Sequence, residues 1–446
     1  MAGTDCARQR RLPWLGLGVG VALVAVAMLV PALTGWDVYA GTVPPLNADW
    51  APRVGPGTLT ALVIAFLATW RAREVTQRAS WRTLLVWSFV AALAWLLALA
   101  VVDGLDGIQR VLDTPNEYLH TARSLHDFGG ALPDWVSRIT LVRAPDNWPV
   151  HVAGHPPGAT MFFWVLVQLG LGSGLNAGLV VTFVAATTPL AVLTAMRALG
   201  AEMHARWAAP FLVFGPSAVW SAVSADAVFT TVTSWGIALL ALAATRERWT
   251  GRVGWSVPAG LFLGCAVMMS YGLPLIGLLS VAVLWLAKSW RTLPITALVA
   301  FAVVLGFAAY GFYYWDALPA LHTRYYEGIA SRRPASYWMW GNVAALVISA
   351  GPAMAAGVAS VLGQARGLLH EQSTRVVTAL SLGGVAMVLA ADLSQLSRAE
   401  VERIWLPFVP WLLVSCALLT PRWRAWGLAA QVVTALLVQH LLKTGW

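Results

Sequence analysis

Apolar residues in this chain fall in solid runs rather than in alternation. Thirteen runs are long enough to draw as spans: 13–34, 57–71, 83–103, 176–197, 205–223, 227–245, 254–270, 272–288, 292–314, 341–363, 375–393, 404–420 and 424–443. A helix needs about 20 apolar residues to cross the hydrocarbon core, and it satisfies its own backbone hydrogen bonds where lipid cannot. A membrane β-barrel would instead show short alternating segments. The pattern therefore predicts an all-α polytopic membrane protein, with residues 1–446 forming one integral domain. One further run, 158–171, is short for a crossing and follows two prolines, so it reads as a re-entrant or interfacial segment.

Charge placement supports that choice. If 158–171 does not cross, the arginine-rich connections at 71–82, 197–206, 246–252, 288–291, 366–375 and 422–424 share one side with Arg8, Arg10 and Arg11. Most carboxylates then fall on the opposite side. The positive-inside bias places the N-terminus in the cytoplasm and the C-terminus outside. The first run is too long for a signal-peptide core and is expected to be retained. Three outer connections result: 104–157, 315–340 and 394–403.

Composition agrees with this picture: 446 residues, 59% hydrophobic and 11% charged, with a mean hydropathy of +0.69. The net charge of +9 comes from arginines at the ends of apolar runs, which argues against nucleic-acid binding. Cys6, Cys265 and Cys416 are far apart and lack metal-type spacing.

The polar stretch Asp103–Pro157 is the exception in this apolar chain, with seven carboxylates and four histidines. Near its start lies Asp113-Thr114-Pro115-Asn116-Glu117-Tyr118. A helix starting near Asp113 would use that residue as a cap and set Asp113 and Glu117 on one face. A plain cap with a solvated first-turn acid is the ordinary alternative. Farther on, His151 and His155 precede Pro156-Pro157, in a stretch expected to be extended. They suit donor recognition or partnership with a base, whereas a zinc site has little support from the spacing. Asp226 sits where one span ends and the next begins, and carboxylates at that depth are functional candidates by default. Its alternative role is a helix cap.

The loop 315–340 carries Arg324, Arg332 and Arg333 among aromatics. Arginine forks suit phosphate oxygens, although headgroup snorkelling is equally open. Glu402 and Arg403 abut the proline-containing run 404–420, where charges are expected to pair or to face a cavity.

In this order, the parts resemble the GT-C superfamily of membrane glycosyltransferases. These enzymes use polyprenyl-phosphate sugars and include protein mannosyltransferases, lipid A aminoarabinose transferases and actinobacterial mannosyl- and arabinosyltransferases. The carrying residues are Asp113 and Glu117, then His155-Pro156-Pro157, the basic turn Arg197–Arg206, and Asp226. The tail Glu402-Arg403-Ile404-Trp405-Leu406-Pro407-Phe408 also looks like that of actinobacterial members. Three spans precede the acidic loop here, where the family usually has one.

The resemblance implies a plasma-membrane enzyme with an extracytoplasmic active site. It would move mannose or arabinose, with inversion, from a polyprenyl-phosphate donor to an envelope glycan, lipid or protein acceptor. Glu117 or Asp113 would be the base, with Asp226 beside it. His151, His155, Arg324, Arg332, Arg333, Glu402 and Arg403 would handle the donor, with a divalent cation as an optional cofactor. Two rivals are a secondary transporter or lipid flippase, and a non-catalytic partner in an envelope complex.

Overall fold

A computed structural model describes residues 2–445, with side chains from residue 11; Cys6, Arg8 and Arg10 lie outside the described side chains. The chain is 74% helical with almost no sheet. Among the described residues, six helices are long and apolar enough to cross a membrane: Arg11–Thr34, Trp81–Asp103, Gly174–Ala198, Ala225–Ala244, Trp249–Met269 and Gln372–Leu393. Two sharply bent helix pairs raise the number to as many as eight. Large apolar side chains such as Leu29, Leu33, Val86, Leu298 and Phe301 remain exposed on helix flanks. Such a surface fits lipid and not water. The protein is an all-α membrane protein.

Local chemistry sets many of the helix starts. Ser80, Ser173, Ser224 and Thr420 each accept a hydrogen bond from the backbone N–H three residues on, which satisfies an otherwise orphaned donor. The Trp249–Met269 helix packs closely on Leu293–Ala309, with Gly260 and Gly264 facing the backbone of Thr296 and Ala300. Small residues at such crossings let helix backbones approach.

Several runs that read as continuous spans are broken. Residues 341–363 belong to two helices, Ala335–Ala350 and Pro352–Leu368, which meet at 113°. The break is at Gly351, whose φ of +87° is left-handed, and Pro352 starts the next helix because it needs no N–H partner there. Residues 205–223 split at Gly215-Pro216 into Glu202–Phe214 and a single turn, Ala218–Ser221. Residues 404–420 form short turns around Pro407 and Pro410. The run after Pro156 forms the 12-residue helix Pro157–Gln168. At 1.5 Å per residue it extends only about 18 Å, short of the roughly 30 Å core.

A two-stranded antiparallel ribbon, Ala48–Trp50 against Leu442–Thr444, ties the first connection to the C-terminal end.

Candidate functional site

The stretch 113–117 is turn, not helix, which corrects the expectation of a helix starting at Asp113. The helix begins instead at Tyr118, with extended Glu117 in the capping position. Asp113 and Glu117 therefore do not share a helical face. Asp113 pairs with Arg123 at 2.6 Å while 40% exposed. Glu117 points inward, and its residue is only 3% exposed.

Inside, Glu117 Oε1 lies 2.8 Å from His151 Nδ1. His151 stands on a single helical turn, Val150–Ala153, rather than on the extended approach expected from the prolines. Pro149 opens that turn, and Pro156 stops any continuation through His155. His155 Nδ1 is within 2.9 Å of the His151 carbonyl, which fixes the His155 ring to the turn that carries His151. The ring of Tyr118 packs against His155 and stacks on Phe163, with centroids 5.5 and 5.8 Å apart.

A second arm reaches the same place from the far end of the sequence. Asp226, in the first turn of Ala225–Ala244, accepts a hydrogen bond from Arg403 Nη1 at 2.9 Å, with both side chains 4% exposed. Arg403 also lies 3.7 Å from Glu400. Arg333 Nη2 donates to Glu400 Oε1 at 2.8 Å, and its other N–H groups donate to the Tyr39 and Arg398 carbonyls. Glu402 is fully buried and accepts from the Asn47 N–H at 3.0 Å. The loop carrying this arm is forced into shape: Ala399 and Glu400 are both left-handed, at φ +68° and +61°. Asn342 holds it, accepting from the Ala399 N–H and donating to the Ser397 carbonyl and to Asp392. Non-glycine residues in that region persist only where their surroundings impose it, and they concentrate at functional sites.

The two arms feel each other electrostatically. Burial pushes the Glu117 carboxyl up, but the His151 hydrogen bond and the charges of His151 and Arg403 outweigh it and hold it below its usual range. Burial likewise opposes the Arg403 charge, yet Asp226, Glu117 and Glu400 keep its affinity for the proton above normal. Burial drives His155 down to about 3, so it is neutral. Tyr118 is pushed well above its ordinary value by burial and by the Asp226 and Glu117 charges. Glu402 rises to about 7, mainly through burial.

Two buried polar atoms of the cluster, Glu117 Oε2 and Tyr118 Oη, have no hydrogen-bond partner among the described residues, and neither does Glu402 Oε2 at its border. Leaving such atoms unpaired costs about 1–3 kcal/mol each. A polar centre retained at that cost inside an apolar protein is a functional-site signal.

Of the ten candidates named from the sequence, Glu117, His151, Asp226 and Arg403 are joined by direct pairs or charge coupling, with His155 against them. Arg333 and Glu402 border the cluster, and Arg333 is already committed to Glu400 and two carbonyls. Arg332 is exposed and Arg324 half-buried, and neither forms an ion pair among the described residues. Glu400 and Tyr118 were missed. Each adjoins a named residue, and the repeated carboxylate in Glu400-Val401-Glu402 was the available signal. Among the described residues, no group of three or more His, Cys, Asp or Glu converges to hold a metal. No model of a known protein family matches the chain, and neither does any curated protein.

Proposed function

We propose that the chain is an inverting membrane glycosyltransferase of the GT-C type, using a polyprenyl-phosphate sugar. The observation that carries this reading is the buried Glu117–His151 pair facing the Asp226–Arg403–Glu400 cluster. Glu117 is the base. Its Oε1 is held by His151, which leaves Oε2 to take the proton from an acceptor hydroxyl. That oxygen attacks the anomeric carbon, the bond from that carbon to the phosphate oxygen breaks, and polyprenyl phosphate leaves with the electron pair. His151 keeps Glu117 ionised, and Arg403, fixed by Asp226 and Glu400, adds to that effect. Arg324 and Arg332, free of ion pairs among the described residues, meet the donor phosphate. His155, being neutral, offers a hydrogen bond and no charge.

In this reading the chain crosses the plasma membrane thirteen times with its N-terminus in the cytoplasm, and the cluster faces outward. Mannose and arabinose are the leading sugars, and the acceptor is an envelope glycan, lipid or protein. The test is to give purified protein in lipid each radiolabelled donor together with an envelope acceptor pool. NMR of the product should show an anomeric configuration opposite to that of the donor. Retention, or donor hydrolysis without transfer, would count against the single displacement.

One observation favours a second reading. The 113° break between Ala335–Ala350 and Pro352–Leu368, with the Gln431 amide bonded to Ala350 and Ala353 across it, is also the broken-helix pattern of a secondary transporter or flippase. Uptake into vesicles driven by a proton gradient would support that alternative.

A further inference from the structure

The opposite end of the molecule carries a separate feature that the transfer reaction does not use. A cleft of about 720 Å³ is lined by Arg246, Arg252, Lys288 and Arg291, with Glu247 and Gln372 on its wall. Asp226 and Ala244 lie near the two ends of one 20-residue helix. At 1.5 Å per residue that places the cleft about 30 Å from the Glu117 cluster. Four cationic side chains thus face one carboxylate, and none of the four forms an ion pair among the described residues.

Arg252 sets this cleft apart from an ordinary fringe of basic residues. Snorkelling arginines send their guanidinium out to water, but Arg252 is only 8% exposed. One of its N–H groups donates to the Arg246 carbonyl at 2.9 Å, which closes the C-terminal end of the Ala225–Ala244 helix. Its Nε is buried as well and has no hydrogen-bond partner among the described residues. Arg252 also stands in the first turn of Trp249–Met269, where the helix dipole adds positive potential. A buried, half-used guanidinium on the wall of a concave cationic cleft is built for an oxyanion, and the planar fork matches phosphate in particular.

We infer that this cleft is a binding site for a phosphate group, held by Arg252 from within and by Arg246, Lys288 and Arg291 from the rim. Two sources offer that chemistry: the headgroup of an anionic lipid in the adjoining leaflet, and a soluble phosphate compound.

The test uses the full-length protein, purified in neutral detergent and fluorescently labelled for thermophoresis. The probes are dioctanoyl phosphatidic acid, inorganic pyrophosphate and dioctanoyl phosphatidylcholine. Saturable binding of phosphatidic acid alone assigns the site to a lipid headgroup. Comparable binding of pyrophosphate assigns it to a soluble phosphate. In either case R252K, which keeps the charge but loses the fork, should weaken binding about ten- to hundredfold. The surface double variant R246Q/R291Q should do the same without touching the core, so the proposal stays testable if R252K fails to fold. The inference is overturned if neither anionic probe binds more tightly than phosphatidylcholine, or if R246Q/R291Q binds like the wild type.

Discussion

Replacing Arg403 by methionine tests whether the buried cluster is one electrostatic unit. The Asp226–Arg403 pair spans 2.9 Å with both side chains 4% exposed, and Glu400 is 3.7 Å from the same guanidinium. Removing one partner of a buried ion pair typically costs about 3–5 kcal/mol, because the remaining charge loses both water and its counter-charge. R403M strands two contacting carboxylates and removes the field on Glu117, so its loss should lie near the upper end, about 4–5 kcal/mol. D226N should cost less, about 2–3 kcal/mol, since Arg403 keeps Glu400. The double variant D226N/R403M removes one carboxylate along with the guanidinium. Its cost should fall short of the sum by about 1.5–3 kcal/mol, as expected for residues in direct contact. The assay is equilibrium unfolding of the four proteins in mixed micelles of rising SDS fraction, followed by tryptophan fluorescence. Additivity within about 0.5 kcal/mol, or an R403M variant as stable as the wild type, would refute the coupled-cluster argument.

Other expectations follow from single residues. Glu402, held at about 7 against an ordinary 4.5, favours the native state in its protonated form. That contribution is complete below about pH 4.5 and is lost as pH rises through about 7; E402Q should flatten this part of the stability profile, and an unchanged profile would contradict the assignment. D113N should cost no more than about 1 kcal/mol, because its bond to Arg123 is a half-exposed surface pair; a larger loss in the same unfolding assay would mean that Asp113 has a buried role. G351A should destabilise by more than about 2 kcal/mol, since φ is +87° and a Cβ would run into the Gln431 amide that bonds Ala350 and Ala353. A G351A protein that unfolds like the wild type would show that the helix break tolerates a side chain.

The apolar runs made the helical membrane class legible, because about 20 apolar residues in a row have few other destinations. They did not reveal the breaks, since a hydropathy run carries no information about direction, and Gly351 or Gly215-Pro216 turns the chain without interrupting it. Glu117, His151, Asp226 and Arg403 stood out individually as costly polar residues beside apolar segments. Their convergence was not legible: Asp226 and Arg403 are 177 positions apart, and no spacing rule spans that distance. The misplaced helix start has a local cause. Pro115 suits the first turn of a helix, but here it serves a turn, and the helix waits until Tyr118.

The rate of sugar transfer by E117Q beside D113N in the same lipid preparation tests Glu117 as the base. Glutamine keeps the size of Glu117 and a hydrogen bond to His151 but cannot take a proton. E117Q should lose about 10²–10⁴ in rate, while D113N stays within a few-fold of the wild type. Wild-type transfer by E117Q, or loss in D113N alone, would contradict the assignment of Glu117 as the base.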